Sequence, residues 1–584
     1  MKLFRKVFLI SLVIALFALT YGCDQADEDP LANVTSVEFV RMMGNGINLG
    51  NTMEACDVHN RLPNRATYVY ETMWGNPVTT QEMITGMSDA GFSTLRIPVA
   101  WTNAMDWESG DFTINEAYLA RVEEIINYAL NEDMFVIVNN HWDHGWWSMF
   151  GHPDQAWRDF ALEMFISMWT QIAQRYEHFD HRVIFEPSNE EWGNRFNDRT
   201  PWSPTGGTLT EDECYELLTY LSQVFVDLIR ATEGNNANRF LLMKGYNTDV
   251  MMTVDERFVL PTDTVENRLL LSVHYYTPWS YTGDTSGVGT WGRTTEVEEM
   301  NYLLGLLSKF TDMGYGVVIG EWGVLDNEGP DRLKFFTNLL DNSDLHGFAP
   351  ILWDTGWTPE HGRLFDRNDT LTIVAPDILH LFQSRSVYAR ADMTVDEIIA
   401  TAEANMSATL QLAAERPETV LTADEAVAWI MFAAGDWVYQ YSVGDRYQPE
   451  QIPDGLIATD VEITGEGTYT VALDFTGTGT GYADGFAFSA IGIMNGEILF
   501  PGYFIEITEL LINGVQATFV GTPYTTNDNP VTTRVNLFNE WVNDIPSEAR
   551  VFNGDLSDVS PTFLENYRLT HIETISITFD FIGP

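Results

Sequence analysis

The feature that most constrains this chain is a count. Between residues 45 and 385, eight apolar or β-branched runs alternate with stretches of helical period. The runs read "INLGN" (47–51), "LRIPV" (95–99), "FVIVNNH" (135–141), "VIFEPSNE" (183–190), "FLLMKGY" (240–246), "LLLSVHYY" (269–276), "VVIGEWG" (317–323) and "PILWDTG" (350–356). Between them lie segments such as "NEAYLARVEEIINYALNE" and "AWRDFALEMFISMWTQIAQRYEHF", whose apolar residues recur at three- and four-residue intervals. Strands separated by helices pair in parallel, and eight of them close into a (β/α)₈ barrel. A doubly wound sheet is the structural rival. It leads one to expect a G-x-G-x-x-G loop after the first strand, and "NLGNTMEACDVH" is not one.

The pattern changes downstream. Residues 386–420 read as a helical connector. From 421 to 584 the chain turns to alternation: Tyr469, Val471, Leu473 and Phe475 interleave with small or polar residues, as do Ile575, Ile577, Phe579 and Phe581. "LLINGVQATF" carries an Asn-Gly hairpin signal. These features predict an all-β antiparallel sandwich after a barrel domain spanning 38–385.

At the other end, Lys2, Arg5 and Lys6 precede an apolar run from Val7 to Leu19, then Gly22-Cys23. This has the form of an export signal over 1–22, followed by a tether over 23–37. Gly-Cys after such a run resembles a bacterial lipoprotein signal, which implies a lipidated Cys23 and membrane anchoring; ordinary secretion is the rival. Cys56 and Cys214 are the only other cysteines, too few for a disulfide framework. A formal charge of −53 repels phosphate backbones and argues against nucleic acid as a partner. After residue 6 the only lysines are Lys244, Lys309 and Lys334, the surface of a protein that stays soluble in high salt.

In a (β/α)₈ barrel, polar residues at the C-terminal strand ends face the substrate. Read as a strand, "VIFEPSNE" puts Glu186 and Glu190 on one side, with Glu190 at the mouth and Glu186 a layer deeper as a support group. Glu191 then begins the loop as a solvated charge. Strand 7 brings Glu321 to the same mouth. The other strand ends supply Arg96, His141, Asn189, His274, Tyr276 and Trp353. Two carboxylates amid a cation, imidazoles and aromatics are the equipment for cleaving a glycosidic bond. There is no Asp/His cluster with metal-ligand spacing, no G-x-S-x-G elbow and no pattern that calls for a cofactor.

"GINLGNTMEA", "LRIPVAW", "VIFEPSNE", "KGYNTD", "VHYYTPW", "GEWG" and "WDTG…LFDRN" resemble the successive motifs of glycoside hydrolase family 5, the cellulase-like retaining β-glycanases. The resemblance covers roughly residues 40–370. It implies Glu190 as general acid/base, Glu321 as nucleophile and Asn189 as the partner of a sugar 2-hydroxyl. It also implies that Arg96 and Tyr276 hold Glu321 ionised, that His141 and His274 line the reacting subsite and that Trp353 is its floor. The expected substrate is a β-1,4-linked glucan, with xyloglucan, mixed-linkage glucan, xylan and mannan as alternatives. Two departures stand out: His141 is followed by Trp142 where the family often has a second His, and Glu191 stands where proline usually follows the Asn-Glu pair. In a retaining enzyme the charge of Glu321 raises the pKa of Glu190, which starts protonated. Trp142, Trp146, Trp147, Trp192, Trp279, Trp291 and Trp357 on the loops each read singly as core or rim, and as a set suit an extended glycan cleft. In the C-terminal region, Trp429, Trp437, Tyr439, Tyr441, Tyr447 and Trp541 would form a sugar platform or fill the core. A non-catalytic glycan-binding protein on a decayed barrel, and an inverting hydrolase, are the rival functions.

Overall fold

The structure, a computed structural model, describes residues 33–56, 65–283, 290–324, 331–356, 362–368, 371–415, 423–435, 439–441 and 453–584, less short stretches at 520, 529–530, 540–544, 547, 553–555, 557–558, 561–563 and 565–569. The export signal and Cys23, together with Trp357, Trp437, Tyr447 and Trp541, lie outside the described residues. The chain divides into two compact units, with the main break between Ala414 and Glu415.

Eight parallel strands close the barrel in sequence order. They are β1 (Gly46–Asn48), β2 (Thr94–Ile97), β3 (Phe135–Asn139), β4 (Val183–Glu186), β5 (Leu241–Lys244), β6 (Leu269–Tyr275), β7 (Gly316–Trp322) and β8 (Ala349–Leu352). All eight runs picked from the sequence are strands; most stop short of the polar residues at their C-terminal ends, which therefore sit on the loops above the barrel. β1 pairs with β8 through Gly46↔Ile351 and Ile47↔Leu352, which completes the closure.

Helix α1 (Ser36–Met43) plugs the N-terminal end. Its first turn is fixed by a T-x-x-E capping box, in which Thr35 Oγ1 accepts from the Glu38 amide and the Glu38 carboxylate accepts from the Thr35 amide. Phe39, Val40 and Met43 of α1 pack on Ile137, Ile184, Leu242, Leu270, Val318 and Ile351 from the strands. Gly316 permits this close approach, because a Cβ there would lie 2.3 Å from the Ser36 carbonyl oxygen.

The outer helices follow the predicted periods. In α3 (Glu116–Leu130; α2 is Gln81–Asp89) the buried residues are Tyr118, Leu119, Val122, Ile125, Ile126 and Ala129. In α4 (Gln155–Arg175) they run from Ala161 to Ala173 at the same spacing. Further along the chain, α5 (Glu211–Arg230), α6 (Thr294–Leu306), α7 (Asp331–His346), α8 (Pro376–Ser384) and α9 (Val395–Glu415) complete the helices of this unit that concern the argument.

The second unit consists of antiparallel sheets. β9 (Val427–Ala433), β11 (Phe488–Met494) and β13 (Thr532–Asn539) pair in one; β10 (Gly467–Asp474), β14 (Thr574–Ile582) and β12 (Phe504–Ile512) pair in the other. Trp429, Ile491 and Val535 from the first share one core with Val471, Leu510, Ile577 and Phe579 from the second. That is a β-sandwich. Trp429 and Tyr441 are buried in its core and Tyr439 packs against it, so these rings fill space instead of forming a sugar platform.

Candidate active site

The pocket rim is organised by Arg96 at the C-terminal end of β2. This guanidinium is fully buried and donates four hydrogen bonds: to Glu186 Oε2, Asn48 Oδ1, Glu321 Oε1 and Asn189 Oδ1, each at 2.8 or 2.9 Å. Burial alone would lower its pKa; the paired Glu186 and Glu321 outweigh that, so Arg96 stays charged. Asn48 was not anticipated. Its Nδ2 donates to the carbonyl oxygen of Gly320 at 3.0 Å, joining β1 to β7 behind Glu321.

β4 ends at Glu186, and Pro187 follows. The alternation argument for Glu190 therefore does not hold, because residues 187–190 are not a strand. The loop nevertheless delivers Glu190 to the mouth. One carboxylate oxygen of Glu190, one of Glu321 and a ring nitrogen of His274 all lie within 4.8 Å of one another.

The expectation for Glu191 is overturned. It is fully buried, not solvated. Its Oε2 accepts from Ser188 Oγ and from the Asn189 amide, both at 2.8 Å, and so closes the turn that aims Asn189 and Glu190. The S-x-x-E spacing of Ser188 and Glu191, which brings a carboxylate back over the start of the turn, is the signal that could have shown it.

His274, from β6, places Nδ1 at 2.7 Å from Glu190 Oε1 and 3.6 Å from Glu321 Oε2. It fits there because position 320 is glycine: a Cβ would lie 3.1 Å from His274 Nε2 and 2.6 Å from Ser272 Oγ. Burial holds His274 down at about 4, against the pull of Glu190, so the ring is neutral. His141 is also buried and held well below its usual value, first by burial and then by Arg96. Its Nδ1 accepts from Asn139 Nδ2 at 3.2 Å, which leaves the Nε2 proton directed at Glu321 Oε1, 4.0 Å away. The His141 ring lies parallel to half-buried Trp353 at 5.8 Å. Tyr276 Oη is 3.5 Å from Glu321 Oε2, the outer limit of a hydrogen bond.

The charges of the free site differ from the arrangement expected from the sequence. Burial would raise Glu190, but the hydrogen bond to His274, with Arg195 and Lys244, overrides it and lowers Glu190. Burial pushes Glu321 up; Arg96 opposes this and the Glu190 charge adds to it. The two carboxyls sense each other and titrate as a pair. Arg195 and Lys244 were missed as site residues. Arg195 Nη1 is 3.4 Å from Glu190 Oε2. Lys244 ends β5, and the rule that polar residues at C-terminal strand ends face the site marks it as well.

Of the tryptophans expected along the cleft, Trp146, Trp147, Trp192 and Trp291 are buried. They pack the loops. Among the described ones, Trp142 of the barrel unit is half-buried, and Trp279, which belongs to the second unit, is 58% exposed. Cys56 and Cys214 are buried and not joined in a disulfide.

The profile of the cellulase family (glycosyl hydrolase family 5) matches residues 58–357, half of the chain. The chain belongs to glycosyl hydrolase family 5. Other members agree over the same region. Endoglucanase A of Paenibacillus barcinonensis is 32% identical over 407 residues, covering 64% of this chain and 96% of that protein. The xyloglucan-specific endo-β-1,4-glucanase BoGH5A of Bacteroides ovatus is 31% identical, covering 58% and 68%. Among solved structures, a broad-specificity endoglucanase from Ruminococcus champanellensis with bound cellotriose superposes with a TM-score of 0.53 at 31% identity, covering 60% of this chain and 99% of that one. A lichenase from Caldicellulosiruptor sp. F32, in a mutant form with cellotetraose, gives 0.54 at 29% identity, covering 63% of this chain and 99% of that one. As a member of this family, the chain is a glycoside hydrolase with its machinery on the barrel.

Proposed function

We propose that the protein cleaves internal β-1,4 bonds of glucans with retention of configuration, Glu321 acting as nucleophile and Glu190 as general acid and then base. The observation that carries this reading is the approach of the two carboxylates to within 4.8 Å. Direct attack on the anomeric carbon needs a separation of about 5 Å, whereas an interposed water needs roughly 6.5 Å or more.

The reaction needs the proton on Glu190 and the charge on Glu321. Glu190 is the more open of the pair, its side chain 31% exposed against 7% for Glu321. A bound sugar covers Glu190 and removes its water, which raises its affinity for the proton. Glu321 changes little, since it is already buried, and is left ionised on Arg96. His274 Nδ1 reaches both carboxylates and steadies whichever carries the charge. Attack by Glu321 forms the glycosyl ester as Glu190 protonates the departing oxygen; Glu190 then deprotonates the water that breaks the ester. Asn189 spends its Oδ1 on Arg96 and its amide on Glu191, so its Nδ2 is turned to the ligand as a donor for the sugar 2-hydroxyl. Trp353, with His141 stacked on it, offers an apolar face to the ring.

The relatives named for endoglucanase, xyloglucanase and lichenase activity support a β-glucan backbone as substrate, with β-1,4-glucan first and branched or mixed-linkage glucans next. The test is proton NMR of early hydrolysis of a cello-oligosaccharide. The β-anomer should appear first and mutarotate; an α-anomer at first turnover would remove the retaining assignment. The charged start, apolar run and Gly22-Cys23 support export with lipid attachment at Cys23. Replacing Cys23 with Ala should release the protein from membranes, and unchanged partition would refute anchoring there.

A further inference from the structure

Lys244 is fully buried, its Nζ makes no hydrogen bond to any described residue, and it ends β5 beside Ser272 of β6. An ammonium group in such a place costs several kcal/mol unless nearby charge compensates it. Its surroundings compensate in part. Burial lowers Lys244 from 10.5 to about 8, with Arg96 from β2 adding to the fall, against Glu186, Glu191 and Glu190 from β4 and its loop, which raise it. The ammonium therefore keeps its charge below about pH 8.

A charge count over the whole cluster gives this placement a purpose. Four carboxylates converge at the barrel mouth: Glu186, Glu190, Glu191 and Glu321. Three cations face them: Arg96, Arg195 and Lys244. His141 of the β3 end and His274 of β6 are neutral, and the Tyr276 phenol, held well above its usual value by burial and then by Glu321, keeps its proton. Asp198 also holds Arg195, at 3.2 Å, against 3.4 Å for Glu190. Carboxylates therefore outnumber cations at the mouth, and each cation weighs on how tightly Glu190 and Glu321 hold a proton. A double displacement needs one carboxyl to donate and one carboxylate to attack.

We propose that Lys244 is a positioning residue for the reaction, the buried cation at the end of β5 that weakens proton binding by the catalytic carboxyls. It does so without touching the substrate, through its charge beneath the barrel mouth. Without it the carboxyls hold protons more tightly, and a site with both catalytic carboxyls protonated has no nucleophile.

The experiment is the pH profile of kcat/KM for K244M, E191Q and the double variant, on the full chain with a soluble β-glucan. In K244M, loss of a buried positive charge makes every nearby carboxyl bind its proton more tightly. Both limbs of the profile should move to higher pH by about one unit. E191Q removes a negative charge while keeping the shape of the side chain, and should move both limbs to lower pH. The double variant should return towards the wild-type profile. A K244M profile that coincides with wild type overturns the proposal. Should K244M not fold, K244Q carries the same expectation, and a K244Q profile that coincides with wild type is equally fatal. This proposal rests on the assignment of Glu190 and Glu321. A first-formed α-anomer would sink that assignment, whereas a β-anomer with unmoved profiles sinks the role of Lys244 alone.

Discussion

The two ends of one barrel are built from the same eight strands, yet they solve opposite problems. At the N-terminal end Ile184, Leu242, Leu270 and Val318 meet α1 in an apolar layer. Two residues further along three of these strands stand Glu186, Lys244 and Ser272, and Gly320 follows Val318 on the fourth. The first layer gains free energy by burial, about 25 cal/mol per Å² of apolar surface removed from water. The second spends it, holding the charges of Arg96, Glu186, Lys244 and Glu321 out of water, where each relies on the others for compensation. What the comparison teaches is a division of labour. Stability resides at one end so that poorly solvated charge can be kept at the other.

That division predicts that substitutions at the two ends separate activity from stability. E321Q should lower kcat by at least about 10⁴-fold while leaving the fold intact, as read by steady-state kinetics beside thermal melts. The melt carries a signed expectation of its own. Glu321 is raised from 4.5 to about 8 in the folded protein, so its contribution to stability is complete below pH 4.5 and is lost as pH rises through about 8. The variant should therefore melt higher than wild type above pH 8, and a lower melt there would contradict the picture of a costly, buried charge.

E190Q sharpens the contrast within the active end. Loss of the proton donor should cost about 10²–10⁴-fold on a glucan and much less on an aryl glycoside whose leaving group needs no proton. Equal losses on both substrates would deny Glu190 that role. At the opposite end, Phe240→Ala removes a ring packed in the apolar layer and should cost about 3–5 kcal/mol in denaturant unfolding. Turnover per folded molecule should stay at the wild-type level. The smallest effect is expected from Ser188→Ala, which deletes one of two hydrogen bonds closing the Glu190 turn and should cost about 1–3 kcal/mol. It should raise KM more than it lowers kcat if the turn only aims Asn189.

The sequence disclosed the apolar end more fully than the polar one. Strands covered on both faces read as continuous apolar runs, so all eight strands were found and the barrel with them. The alternation from Tyr469 to Phe475 and from Ile575 to Phe581 made the sandwich equally plain. Residues that reach the site by strand position, such as Arg96, His274 and Glu321, were legible for the same reason. Glu191 was not. Whether a glutamate after a strand turns outward or closes a turn depends on Pro187 ending β4 and on the Ser188 hydroxyl beside it. Nor were the tryptophans, four of which serve loop packing, because ring burial is decided by neighbours far away in the chain.

The central claim is that Glu321 lies close enough to Glu190's side of the sugar to form a covalent bond with the anomeric carbon. Incubation with an activated 2-deoxy-2-fluoro cellobioside, followed by peptide mass spectrometry, tests it directly. The account predicts one added glycosyl group per chain, on Glu321, with activity lost in proportion. Full activity without a label, or a label on Glu190 or Glu186, would contradict it.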